Sequence, residues 1–214
     1  MKKFIRHMGF LAVLAIALSG CGRSPANTYY TLTAPTSNAT TDAKTAKAAV
    51  RVGPVFLASY LNRPQIVTRT GDNQFVIDDY ARWAEPLNKA IQRNVAINLG
   101  REMPDHFVYE FGVGNNVVNS TTWLVPIDIR RFDVDAAGNA VVELQWGTEG
   151  MVSNTVVAAR TAVYNAKTNP DDYSAQARTL SKLLADFSAD LANSLAALPA
   201  DEAPSQSSGQ SEAE

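Results

Sequence analysis

The sequence predicts an α+β fold, in which a largely antiparallel sheet and two amphipathic helices form a two-layer sandwich. Two patterns predict the helices: apolar residues recur every fourth position over 83–99, and every third or fourth position over 173–198. A third pattern predicts strands, because apolar and polar residues alternate over 123–130 and again over 142–146. Two amphipathic helices can bury their apolar faces against one face of such a sheet.

The elements follow in a clear order along the chain. An apolar strand is predicted over 50–57, and Gly53-Pro54 within it favours an edge position or a bulge. A hairpin is predicted over 65–70 and 74–78 around a Gly-Asp-Asn turn, and the first helix then starts at Trp83. A strand over 107–113 precedes an antiparallel meander of three strands, the last of which covers 155–164. The second helix closes the fold.

Residues 1–20 are typical of a lipoprotein signal peptide. A cationic start precedes an apolar run over 8–18 that is too short to span a bilayer. The run ends in Leu-Ser-Gly before Cys21, the only cysteine in the chain. Small residues before a lone cysteine resemble the bacterial lipobox, in which the cysteine is acylated and becomes the new amino terminus. We expect acylated Cys21 to anchor the mature chain, because two or three acyl chains bind a membrane stably; the alternative is a plain secretory signal.

The mature chain has the size and composition of one domain. We expect a signal peptide over 1–20, one periplasmic domain over 21–198 with a flexible loop or tether over 33–49, and a disordered tail over 199–214. The signal carries three of the nineteen basic residues and no acidic one, so sixteen basic and 21 acidic residues remain, a formal charge of −5. This charge disfavours a nucleic-acid partner, and one remaining histidine without a free thiol predicts neither a metal site nor a cofactor.

Catalytic signatures are absent from the sequence, and we expect no catalytic residues. His106 lies beside Asp105 at the start of a strand, where a structural role is the more common one. The carboxylate pairs at 78–79 and 171–172 stand where helices are expected to begin, so helix capping explains them.

One segment, residues 60–69 (YLNRPQIVTR), has the composition of a binding surface. Arginine and tyrosine are the residue types that dominate protein interfaces. A solvated loop followed by a strand is the alternative. The partner-binding candidates are Tyr60, Arg63, Pro64, Gln65 and Arg69.

The same segment carries a resemblance to a known family. Residues 29–32 (YYTL), 52–55 (VGPV), 60–69 and 83–87 (WAEPL), in this order, resemble the PqiC/YmbA group of ABC-type transport auxiliary lipoproteins. The resemblance implies a non-enzymatic lipoprotein on the periplasmic face of the outer membrane. It also implies a PqiB-like MCE protein as direct partner, a PqiA-like inner-membrane protein as indirect partner, a role in lipid transport and membrane integrity, and a ring of identical subunits.

Two other functions are compatible with the sequence. A stand-alone periplasmic lipid or ligand carrier would need an enclosed apolar pocket. An envelope hydrolase would depend on His106 and the carboxylates.

Overall fold

The computed structural model describes residues 26–35, 45–113, 122–151 and 155–198. Within these ranges the chain forms eight strands and two α-helices, and the predicted α+β class is confirmed. The strands are β1 (Thr28–Tyr30), β2 (Ala49–Leu57), β3 (Gln65–Gly71), β4 (Gln74–Trp83), β5 (Phe107–Glu110), β6 (Thr122–Asp135), β7 (Asn139–Gly150) and β8 (Thr155–Lys167). The helices are α1 (Leu87–Glu102) and α2 (Tyr173–Ala196).

The sheet is mixed and branches at β6. Strands β6, β7 and β8 form the predicted antiparallel meander, and β3 and β4 form the predicted hairpin. The other edge of β6 is shared by two parallel strands: β2 pairs with its first half, and β3 pairs with its last two residues. Strand β5 extends the sheet beyond β2, and β1 extends it beyond β4, both in parallel.

Strand β2 occupies an internal position, so the expectation of an edge strand is wrong. It pairs with β5 on one side and with β6 on the other. The register with β6 shifts between Val52 and Val55, so the Gly53-Pro54 pair falls in an irregularity of the ladder. Proline lacks an N–H to donate, and a bulge removes the need for one. The alternative of a bulge is therefore confirmed.

The first helix begins four residues later than predicted. Trp83 is the last residue of β4, and Pro86 is the N-cap residue of α1. The carboxylates at 78–79 lie inside β4, so their expected role as helix caps is wrong. Asp172, in contrast, caps α2 as predicted, because its carboxylate accepts hydrogen bonds from the backbone N–H groups of Ser174 and Ala175.

Both helices pack against one face of the sheet and against each other. Their apolar faces and the alternate residues of the strands form one core. The largest fully buried side chains include Phe187, Ile91, Leu99, Ile127 and Leu144. The domain is therefore two layers deep.

Only the two ends of the predicted tether over 33–49 lie within the described residues. Ala48 and Ala49 are buried, and the Lys47 backbone N–H donates to the carbonyl of Asp105. This end of the segment therefore belongs to the packed domain. The tail over 199–214 and the signal peptide lie outside the described residues.

Candidate functional site

A groove of about 380 Å³ lies where the β3–β4 hairpin meets the start of α1. One wall is the connection between β2 and β3, which contains a 3-10 turn at Ser59–Leu61. The other wall is the connection from β4 to α1. Backbone hydrogen bonds fix both walls, because the Trp83 N–H donates to the Pro64 carbonyl at 2.7 Å and the Ala84 N–H donates to the Tyr30 carbonyl at 2.8 Å. The groove is lined by Leu61, Asn62, Arg63, Pro64, Trp83, Ala84, Glu85, Pro86 and Leu87.

The groove has an apolar floor and an exposed rim of mixed polarity. The floor consists of Leu61, Trp83 and Leu87, which belong to the core. The rim includes the exposed residues Asn62 and Pro64. A concave site with apolar floor and few polar groups is typical of a binding site for an apolar side chain.

Two charged groups flank this floor and differ in what they can bind. The Glu85 carboxylate accepts two hydrogen bonds from the Arg93 guanidinium, one of them with Nη1 to Oε2 at 2.6 Å. These bonds hold the pKa of Glu85 below its usual value. Arg63 uses its Nε to bind the Tyr60 carbonyl at 2.9 Å, and its two Nη atoms have no hydrogen-bond partner among the described residues. The Arg63 guanidinium can therefore bind a carboxylate or carbonyl group of a partner.

Tyr60 and Arg69 lie outside the groove, in a cluster around buried Asp133. Phe132 and Val134 belong to the core, so Asp133 between them faces the side of the sheet opposite the helices. Its carboxylate is 3.4 Å from Arg69 Nη2 and 3.0 Å from Arg131 Nε, and its side chain is fully buried.

Aromatic contacts complete this cluster. The Tyr60 ring stacks on Phe75 with 4.6 Å between ring centroids, and the Arg69 guanidinium lies 4.4 Å from the centroid of the same ring. The Tyr60 hydroxyl donates to the Arg130 carbonyl at 3.2 Å and is 3.4 Å from Asp133. Burial and the adjacent Asp133 charge raise the pKa of Tyr60 to about 12. Tyr60 and Arg69 thus stabilise the connection between β2 and β3, which forms one wall of the groove.

The structure places the remaining candidates in different settings. Arg63 and Pro64 line the groove, whereas half-buried Gln65 starts β3 and pairs with Arg82 of β4. Cys21 lies outside the described residues.

His106 does not form an acid–base pair with Asp105. The Asp105 carboxylate binds Lys47 Nζ at 2.6 Å. Burial, with a smaller contribution from Lys47, lowers the pKa of His106, so its imidazole is neutral at pH 7. Within the described ranges no group of three potential metal ligands is close enough to hold an ion, and no helix there has the length and apolar character to cross a bilayer.

The sequence did not identify Trp83, Glu85 and Leu87 as residues of the groove. A signal was present at Glu85, because a residue before proline is disfavoured in a helix. That restriction favours a helix start after Glu85, and Trp83 then belongs to the preceding strand.

The fold is that of a small α+β domain with a groove beside the start of α1. The family model for the ABC-type transport auxiliary lipoprotein component matches residues 30–192, well over half of the chain. The chain therefore belongs to this family, which agrees with the resemblance found in the sequence.

Similar proteins are found among curated sequences and among solved structures. The chain is 24% identical over 147 residues to the intermembrane transport lipoprotein PqiC of Escherichia coli (strain K12), covering 68% of this chain and 73% of that protein. The same values hold for PqiC of Shigella flexneri. An uncharacterized protein of known structure superposes with a TM-score of 0.66 at 20% identity, covering 80% of this chain and 99% of that one. A protein from Xanthomonas campestris superposes with a TM-score of 0.59 at 20% identity, covering 77% and 92%.

Proposed function

We propose that this protein is a lipid-anchored, non-enzymatic auxiliary subunit of an MCE-type envelope lipid transport system. In this proposal acylated Cys21 holds the domain on the periplasmic face of the outer membrane, and the domain docks a PqiB-like MCE protein there. A PqiA-like inner-membrane protein would act indirectly through that MCE protein. The docked subunit would support membrane integrity by completing the path for lipid. Membership of the transport auxiliary lipoprotein family and the similarity to PqiC support this proposal.

The groove is the observation that carries the docking proposal. Two of the sequence segments that resemble the family, 60–69 and 83–87, are separated along the chain by 13 residues of the hairpin, and they meet at this groove. Its apolar floor suits one apolar side chain of a partner, and Arg63 suits a neighbouring carboxylate or carbonyl group. We therefore expect the MCE partner to insert such a segment here.

The dimensions of the core disfavour the alternative of a stand-alone carrier. The cavity between the sheet and α2 measures about 10 Å³, which is space for about one water molecule. A phospholipid needs far more space, so lipid would have to pass between subunits or through a partner. A ring of identical subunits provides such a path. A protein that remains monomeric at all concentrations would argue against the ring.

Site-specific photo-crosslinking in cells tests the docking site. A photoreactive amino acid at Asn62 or Ala84 places the reactive group on the exposed rim of the groove. We expect a crosslinked product that contains the MCE protein. The matched control is Thr161, which is also exposed but lies on β8, away from the groove.

Crosslinking to the MCE protein from Thr161 alone would contradict the proposed docking site. No MCE product from any of the three positions, in cells that contain the anchored protein, would contradict the proposed partner.

A further inference from the structure

Exposed apolar side chains are concentrated on β1 and β4, the last two strands on one side of the sheet. Among the described residues eight large hydrophobic side chains are exposed, and half of them lie on these two strands. These four residues, Tyr29, Val76, Ile77 and Tyr80, are called the edge strip below. No other pair of adjacent strands in the described ranges has as many, so this edge needs an explanation.

The direction of β1 shows from which side the chain enters the domain. Strand β1 runs parallel to β4, with Thr28 opposite Ala81 and Tyr30 opposite Trp83. The residues before Thr28 therefore approach from the side where β4 starts, which is also the side of the hairpin turn between Gly71 and Gln74. The opposite end of β4 leads to the groove.

The length of chain before β1 matches the length of the hairpin. Thr28 is seven residues after Cys21, and this stretch of chain can span at most about 24 Å. Ala81 is likewise seven residues after Gln74, at most about 23 Å along β4, whose register with β3 shifts between Ile77 and Arg82. A cysteine anchored in a bilayer therefore holds the outer part of the hairpin close to the membrane surface.

The chemistry of the edge strip suits the headgroup region of a bilayer. Tyrosine is enriched at membrane–water interfaces, where its ring contacts acyl chains and its hydroxyl contacts water. Val76 and Ile77 are successive residues of β4 and point to opposite faces of the hairpin, so they supply apolar area on both sides of its edge, nearer to the turn. The hairpin carries three aspartates and two arginines, a net charge of −1 that disfavours anionic headgroups, so zwitterionic phospholipid is the better partner.

We propose that the edge strip contacts the zwitterionic phospholipid surface to which Cys21 is anchored. This inference depends on the proposed acylation of Cys21. It also orients the domain, because the groove then lies at the far end of the hairpin, up to about 30 Å along β4 from Gln74 to Trp83. The groove thus points away from the membrane, towards a partner that crosses the periplasm.

Fluorescent probes at single cysteines test the contact. Cys21 is the only natural cysteine, and its thiol is consumed in the acylated protein, so an introduced cysteine is the only one available for labelling. An environment-sensitive probe is attached to the purified acylated variants Val76→Cys and Ile77→Cys. The matched control is Val163→Cys on β8, because Val163 is 57% exposed and Val76 is 49% exposed. Each protein is reconstituted into phosphatidylcholine–phosphatidylethanolamine vesicles with or without phospholipid carrying a brominated acyl chain.

We expect brominated lipid to quench the probes at 76 and 77 several-fold more strongly than the probe at 163. Equal quenching at all three positions, in protein that floats with the vesicles, would overturn the edge strip as the membrane contact and leave the anchor intact. Probes at 76 and 77 that are shielded from aqueous iodide but unaffected by brominated lipid would also overturn it, because another protein chain would then cover the strip. Loss of flotation would overturn the anchor itself, and with it this inference.

Discussion

Replacing Asp133 with Asn should destabilise the protein strongly. The Asp133 side chain is fully buried, and the side chains of its partners Arg69 and Arg131 are 19% and 26% exposed. Removing one member of a buried ion pair costs about 3 to 5 kcal/mol, because the remaining charge is left without a partner. Both guanidinium groups retain some access to water, so we expect the low end of this range, about 3 kcal/mol.

Equilibrium unfolding in urea measures this loss, and the buried tryptophans provide the fluorescence signal. With an m value of about 2 kcal/mol per molar urea, the midpoint should fall by about 1.5 M. The matched control is Asp128→Asn on the same strand. The Asp128 carboxylate lies 3.6 Å from Arg130, and both side chains are nearly half exposed, so its loss should cost less than about 1 kcal/mol. Equal shifts in the two variants would refute the reasoning that burial makes the Asp133 cluster important.

Three further predictions address pH, backbone geometry and anchoring. Burial and Asp133 raise the pKa of Tyr60 to about 12. Because the unfolded-state pKa is near 10, the protonated hydroxyl contributes its full stability below pH 10, and this stability is lost as the pH rises towards 12. Tyr60→Phe should therefore lose less stability than the parent between pH 10 and 12 in urea titrations. Gly138→Ala should lower the stability of the fold by about 2 kcal/mol or more, because Gly138 has a φ of +77° and an added Cβ would lie 2.4 Å from the Thr168 carbonyl oxygen. The control Gly71→Ala, whose added Cβ would lie 3.9 Å from its nearest neighbour, should change the stability by less than about 0.5 kcal/mol. Thermal melts of the two variants measure both changes. Cys21→Ser should shift the protein out of the membrane pellet, as detected by immunoblotting.

The parts of the fold that depend on local pattern could be predicted from the sequence. The meander was predictable because alternation marks each strand and short turns connect them. The second helix was predictable because its apolar stripe continues for six turns and Asp172 caps its start.

Other parts depend on pairing between distant segments. The parallel neighbours of β2 are β5 and β6, which come much later in the chain, so nothing near Gly53 or Pro54 could show that the strand is internal. The start of α1 was misplaced because Trp83 continues the four-residue spacing of the helix by coincidence, although it faces the same core.

The candidate site was predictable only in part. Arg63 and Pro64 were chosen as candidates for partner binding and line the groove, while their binding of a partner stays a prediction. Tyr60 and Arg69 have the same interface-like character, but the buried Asp133 engages both, and this carboxylate lies more than 60 residues further along the chain. The sequence could not distinguish a residue that lines the groove from one that supports its wall.

The 3-10 turn at Ser59–Leu61 has a kinetic consequence for recognition. It connects two strands that occupy successive parts of one edge of β6. The Ala58 N–H donates to the carbonyl of Ile129, where pairing with β2 ends, and the Tyr60 hydroxyl donates to the carbonyl of Arg130, the next residue. The wall of the groove is thus already ordered before a ligand arrives, so little loop entropy is lost when one binds. The association rate of a ligand with the groove would then be limited by diffusion rather than by a conformational rearrangement. Correct and incorrect partners would differ mainly in their dissociation rates.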